Sequence, residues 1–213
     1  MKLLLYCTKA KPMLRVARED LFKHQDRARC YRQEDIKYFT QYVSEDMYEA
    51  NGKIVAECDF EVEKIQNKLT NNNSHLELFT NNLIEKELFE KSCLNRYEMF
   101  SYLKNNFTKK DEIKGYAIHI KNLHIFDEPR ELSEYMVYDK SYDNMFGWAF
   151  EEAEKYKPLT KAPQNMMYVE RDDIRYVYIK YVLISIKPEW LCKILNGEKT
   201  IEVRKKVLKE MIK

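Results

Sequence analysis

Residues 182–205 constrain the fold more tightly than any other part of the chain. Val182–Ile186 is a β-branched and aliphatic run suited to a buried strand, and Pro188 then fits the first turn of a helix, where its missing N–H would have no partner anyway. Trp190, Leu191, Ile194 and Leu195 fall on one helical face. Gly197 can take the left-handed conformation that ends a helix, so the chain reverses into an extended piece from Thr200 to Arg204. Period two puts Thr200, Glu202 and Arg204 on one side of that piece and Ile201 and Val203 on the other. The pattern predicts strand, helix, turn and strand, with a charged row opposite an apolar one.

Gly197, Lys199, Glu202 and Arg204 spell Gly-x-Lys-x-x-Glu-x-Arg, and the residues before them read Ser-Ile-Lys-Pro, five residues, Ile, two residues, Gly. In both features the segment resembles the ASCH domain family, a branch of the PUA-like β-barrels. The resemblance covers the last thirty or so residues. A barrel of that family continues with several strands after the motif, whereas the residues after Arg204 are few and more helix-like than strand-like. The motif is therefore not expected to complete a barrel from the residues beyond it.

The start of the chain repeats the same opening. Lys2 to Leu14 is a strand-like run feeding Lys11-Pro12, parallel to Tyr181 to Leu191 with Lys187-Pro188. Asn51-Gly52 then leads into an alternating strand from Lys53 to Ile65, and Gly115–Phe126 supplies one or two more. A helical turn comes next at Leu132, Tyr135 and Met136, and then Lys161–Val169. That order is similar to a PUA-like barrel without the charged signature, so internal repetition organises the chain. The expected fold class is α+β: a PUA-like (ASCH) mixed β-barrel with inserted and flanking helices over residues 1–178, and an incomplete second ASCH-like segment, strand-helix-strand, over 179–213. The helical insertion is placed around 74–106. Leu76, Phe79, Leu83, Ile84 and Leu88 predict a helix from Ser74 to Lys91 capped by Asn73 or Ser74, and Asn95 caps a second with Met99, Phe100 and Leu103 as its apolar stripe. Phe146–Tyr156 is a third candidate, and the Arg- and Tyr-rich stretch from Asp20 to Tyr48 reads as either a helix or a long loop.

With 213 residues, 45% of them hydrophobic, the chain can form one substantial core plus an appendage, or two small ones. No apolar run is long enough to span a bilayer and the opening lacks the length and cleavage site of a signal peptide, so a cytoplasmic protein without membrane partners is expected. Cys7, Cys30, Cys58, Cys93 and Cys192 are odd in number and form no Cys-x-x-Cys pair, which points to reduced thiols rather than disulfides or zinc. His119 and His124 are too far apart to share a strand face, and no metal or cofactor is expected.

The 37 basic and 35 acidic residues nearly balance, so attraction to nucleic acid has to come from local clusters. One begins with Lys9, Lys11 and Arg15 and continues to Arg32, interleaved with Tyr31, Tyr38 and Phe39; the other comprises Lys187, Lys193, Lys199, Arg204, Lys205 and Lys206, near Trp190. Basic groups neutralise phosphates while aromatics stack on unpaired bases, the usual way single-stranded RNA is held. A solvated face paired with Glu19, Asp20 and Asp26 is the plain alternative. Trp148 and Trp190 both lie on apolar stripes and are expected in the core, and Gln164 and Asn165 either read a base edge or cap a loop.

The family resemblance implies a nucleotide-receiving pocket with Lys199 and Arg204 on phosphate or base, Glu202 accepting hydrogen bonds and Thr200 adding a hydroxyl. A carboxylate between two cations stays ionised and suits an orienting role. The plain alternative is a surface ion-pair ladder. Some family members are amidohydrolases of acetylated cytidine that use a lysine, a threonine three residues later and a distant glutamate. Here Glu202 holds the threonine's place, which tells against that chemistry. RNA cleavage would use Glu202 as base with Lys199 and Arg204 steadying the phosphorane. The reading of the sequence is thus a non-catalytic RNA- or nucleotide-binding protein of bacterial or phage type. A phage- or mobile-element-encoded inhibitor that binds another protein through a degenerate barrel is the alternative, and an RNA-processing hydrolase the third. Exposed Trp190, Leu191, Ile194 and Ile201 would need cover, so residues 180–213 are expected to extend a sheet edge of the first barrel or of a second protomer, giving a homodimer.

Overall fold

In the computed structural model, residues 1–8, 52–69, 76–104, 113–141, 155–172 and 178–212 are described. The fold class is α+β. Among the described residues nine strands form one mixed sheet: β1 (Lys2–Cys7), β2 (Ile54–Leu69), β3 (Leu76–Phe79), β4 (Gly115–Arg130), β5 (Met136–Tyr138), β6 (Tyr156–Pro158), β7 (Met166–Asp172), β8 (Tyr178–Ile186) and β9 (Ile201–Arg204). Their hydrogen-bonded order is β6-β5-β7-β8-β1-β2-β4-β9, with β3 on β2. Three helices stand among the described residues: α1 (Glu85–Ser92), α2 (Arg96–Lys104) and α3 (Pro188–Leu195).

The chain forms two compact units, each with its own apolar cluster. The first comprises Leu3–Glu57 and Ile125–Cys192, and the second Cys58–His124 and Lys193–Lys213. This division cuts across the expected boundary at residue 178. In the first unit Leu4, Ile54, Phe126, Tyr135, Leu159, Val169, Tyr181 and Leu183 pack together. In the second, Ile65, Leu78, Leu88, Met99, Leu103, Ala117, Ile201 and Val203 do so.

The carboxyl-terminal segment is paired within the chain. β8 lies between β7 and β1, antiparallel to β7 with Met166 opposite Ile184, and β9 runs antiparallel to β4 with Tyr116 opposite Arg204. Leu191, Ile194 and Ile201 are buried, and Trp190 is half-buried. α3 starts at Pro188 and Gly197 takes φ +81°, as proline at a helix start and glycine past its end dictate. The expected strand from Gly115 extends to Arg130 as one element, with Asn122 in the left-handed region (φ 48°) and its amide on Asp59 Oδ2 at 2.9 Å.

One expected helix is corrected. The stretch from Ser74 to Lys91 is not continuous helix: Leu76–Phe79 is a strand paired with Gln66–Leu69 of β2, and helix begins only at Glu85. Thr80 makes the break, because its hydroxyl accepts from the backbone N–H groups of Asn82 (3.3 Å) and Leu83 (3.0 Å) and so closes a turn where the helix would have run. Asn95 does cap α2, in a reciprocal box: Asn95 Oδ1 accepts from Glu98 N–H (2.9 Å) and Glu98 Oε2 accepts from Asn95 N–H (2.8 Å). Tyr156, expected at the end of a helix, opens β6. Residues 146–154 of that expected helix, Trp148 among them, and the stretch from Asp20 to Tyr48 lie outside the described residues.

Candidate functional site

The residues that carry the candidate site sit on the second unit, where the turn after α3 meets the end of α1. Lys199 comes two positions after Gly197, and its backbone N–H donates to Lys193 O at 2.8 Å. Thr200 N–H donates to Lys91 O (3.0 Å), while Cys93 Sγ donates to Glu198 O at 3.4 Å. The turn is therefore stitched to the last residues of α1. A helix leaves its final carbonyls without partners, and here the Lys199 ammonium supplies one: Nζ donates to Ser92 O at 2.7 Å. Cys93, just past that helix end, holds φ 54°.

β9 then delivers the two other charges. Ile201 and Val203 enter the apolar cluster, and Glu202 and Arg204 lie on the opposite face. Glu202 Oε2 is 3.4 Å from Lys199 Nζ, and Glu202 Oε1 is 2.9 Å from Arg204 Nε. The three side chains are only 2%, 11% and 13% exposed for Lys199, Glu202 and Arg204. A surface ladder is thus not what forms. Burial pushes the Lys199 ammonium below its usual range, with Glu202 opposing that shift. Each carboxylate oxygen of Glu202 faces a cation, an arrangement that orients Arg204 and leaves the carboxylate poorly placed to take a proton from a substrate.

Other expected site residues do not join this cluster. Thr200 is exposed, and what it contributes to the fold is backbone hydrogen bonding, its carbonyl accepting from Ile120 N–H at 2.9 Å. Lys187 belongs to the first unit, is exposed, and has Nζ 3.7 Å from Glu189 Oε1. Lys9, Lys11 and Arg15 lie outside the described residues. Of the two amides considered for base reading, Asn165 accepts from Ser185 N–H through its backbone carbonyl at 3.0 Å, and Gln164 is exposed.

Two polar groupings were not anticipated. Glu63 on β2 accepts hydrogen bonds from the Thr80 hydroxyl and the Asn82 amide, and His119 Nε2 on β4 stands 3.3 Å from its carboxylate. Burial raises the Glu63 carboxyl, but these neighbours outweigh it and hold the group below its ordinary range. The Thr-Asn-Asn turn inside an apolar periodicity was the available signal. The second grouping is Tyr102 on α2, which lies with Lys205 Nζ 5.1 Å from its ring centroid. No sequence signal links residues so far apart.

The chain matches no protein-family model, no curated protein and no solved structure. No helix among the described residues is long and apolar enough to cross a membrane.

Proposed function

We propose that this protein binds RNA or a nucleotide without catalysing a reaction, on a fold of the ASCH/PUA-like barrel type. The observation that carries the reading is the buried Lys199–Glu202–Arg204 cluster. Taking three ionised groups out of water is costly, and apolar residues of similar volume often serve stability as well or better. Their presence at the positions of the Gly-x-Lys-x-x-Glu-x-Arg pattern therefore favours recognition as their purpose. In this reading Lys199 and Glu202 hold Arg204, and Arg204 meets the phosphate.

Fluorescence polarisation with a labelled single-stranded RNA of about a dozen nucleotides tests this. Affinity is expected to fall linearly with the logarithm of salt, by about 0.7 log units per phosphate neutralised for each tenfold in salt. Arg204→Ala weakens binding, and the RNA is recovered intact. Absence of binding at low salt overturns the reading, and cleavage abolished by Glu202→Gln moves it to a hydrolase. A protein-binding role is the second reading, favoured by the exposure of Ile84 and Tyr97 on the same unit; it predicts a partner whose affinity barely responds to salt.

A further inference from the structure

Helix α2 brings an aromatic side chain to the end of the charged strand, a juxtaposition that neither motif nor periodicity contains. Tyr102 is 39% exposed, yet the helix that carries it is firmly seated. Met99 and Leu103 are fully buried, and the Asn95–Glu98 box fixes the helix start. Leu103 fits because position 115 is glycine: a Cβ there would come within 2.6 Å of Leu103 Cδ2. The rotation of α2, and with it the place of Tyr102, is thus set by core packing.

What Tyr102 meets at that place is cationic. Lys205 Nζ lies over its ring at 5.1 Å, the Lys205 backbone N–H donates to its hydroxyl, and the charges of Arg204 and Glu202 both act on that hydroxyl. A partly exposed ring with an ammonium over one face, next to the guanidinium of the preceding residue, matches the two halves of a nucleotide: the ring's other face would stack on the base, and the cations would face the phosphates.

We infer that Tyr102 is the base-stacking residue of the site and that its ligand is single-stranded RNA, with Arg204 and Lys205 taking the phosphates beside the stacked base. The inference rests on the RNA-binding reading above and adds the ligand class. In a duplex the base faces are covered by their neighbours, so only an unpaired strand offers a base to Tyr102. Tyr97, although more exposed, has no cation over its ring among the described residues and is given no such role.

The test compares wild type, Tyr102→Leu and Tyr102→Trp by polarisation against a single-stranded oligouridine, an RNA duplex and free uridine monophosphate. Tyr102→Leu is expected to weaken the single strand by about 5- to 100-fold with the salt slope unchanged, and to leave duplex binding as it was. Tyr102→Trp retains affinity and gains a fluorescence quench on binding that the wild type lacks. Wild-type binding that Tyr102→Leu leaves unaltered overturns the stacking role while the Arg204 reading stands. Equal preference for duplex, or tighter binding of the free nucleotide than of the oligomer, overturns the ligand class. No binding of any of the three RNA species removes both readings together.

Discussion

The first unit closes around Leu4, Ile54, Tyr135, Val169 and Leu183, and among the described residues its buried non-tyrosine polar residue is Ser185, whose hydroxyl donates to Pro163 O at 2.6 Å. The second unit encloses Leu88, Met99, Ile201 and Val203, and also buries Thr80, Ser92, Lys199 and Glu202. Where the first unit places charges near its core, it keeps them outside: Arg130 stacks over Phe126 at 3.8 Å with Nη1 3.3 Å from the Tyr135 hydroxyl, and Arg171 lies over the Tyr135 ring at 5.7 Å. Both guanidinium groups stay half-exposed. Two small cores in one chain thus meet opposite demands. One is assembled mainly from apolar and aromatic burial, and the other carries an internal charged network whose stability depends on every partner being present.

Lys199→Met strikes this contrast hardest. It strips Ser92 O of its ammonium and leaves Glu202 buried with one counter-charge, and the expected loss is about 3–5 kcal/mol in urea unfolding. A loss under about 1 kcal/mol would put the second unit's charges on the same footing as surface pairs.

Acid should widen the difference next, through Glu63. Its folded carboxyl lies below the ordinary value, so its contribution to stability is present above about pH 4.3 and is lost as pH falls through the lower folded value. Glu63→Gln is expected to cost about 1–3 kcal/mol at neutral pH, since Thr80 and His119 lose a charged acceptor, and to flatten the urea-midpoint profile on the acid side. A profile identical to wild type would show that the Thr80–Asn82 turn does not depend on that carboxylate. The smallest effect belongs to the first unit: Ser185→Ala removes one neutral hydrogen bond and should lower stability by about 1 kcal/mol in the same assay.

The local chemistry of residues 182–204 was legible because each signal there is short-range. A β-branched run, a proline at a helix start, a glycine past its end and a two-residue alternation all act within a few residues. Asn95 was readable as a cap for the same reason. The stretch from Leu76 to Leu88 was misread because apolar residues three and four apart fit a helix, while its first residues are needed as a partner strand for β2 and Thr80 closes a turn after them. Lys199, Glu202 and Arg204 were recognisable as charged positions, but how this end of the chain is held was not, because its contacts reach residues distant in the sequence. The contact of Lys199 with Ser92 O is one such case, and the approach of Tyr102 to Lys205 is another. A sequence motif locates such a cluster; only the fold shows which of its members face inward.

The most direct measurement replaces the whole cluster at once, Lys199→Met with Glu202→Leu and Arg204→Met, and tracks both urea unfolding and binding of the single-stranded RNA. If the charges serve recognition, the triple variant regains most of what Lys199→Met alone loses, reaching wild-type stability or about 1–4 kcal/mol above it, while RNA binding disappears. A triple variant that stays as unstable as Lys199→Met, or one that binds RNA with wild-type affinity and salt slope, would contradict a recognition role for these charges.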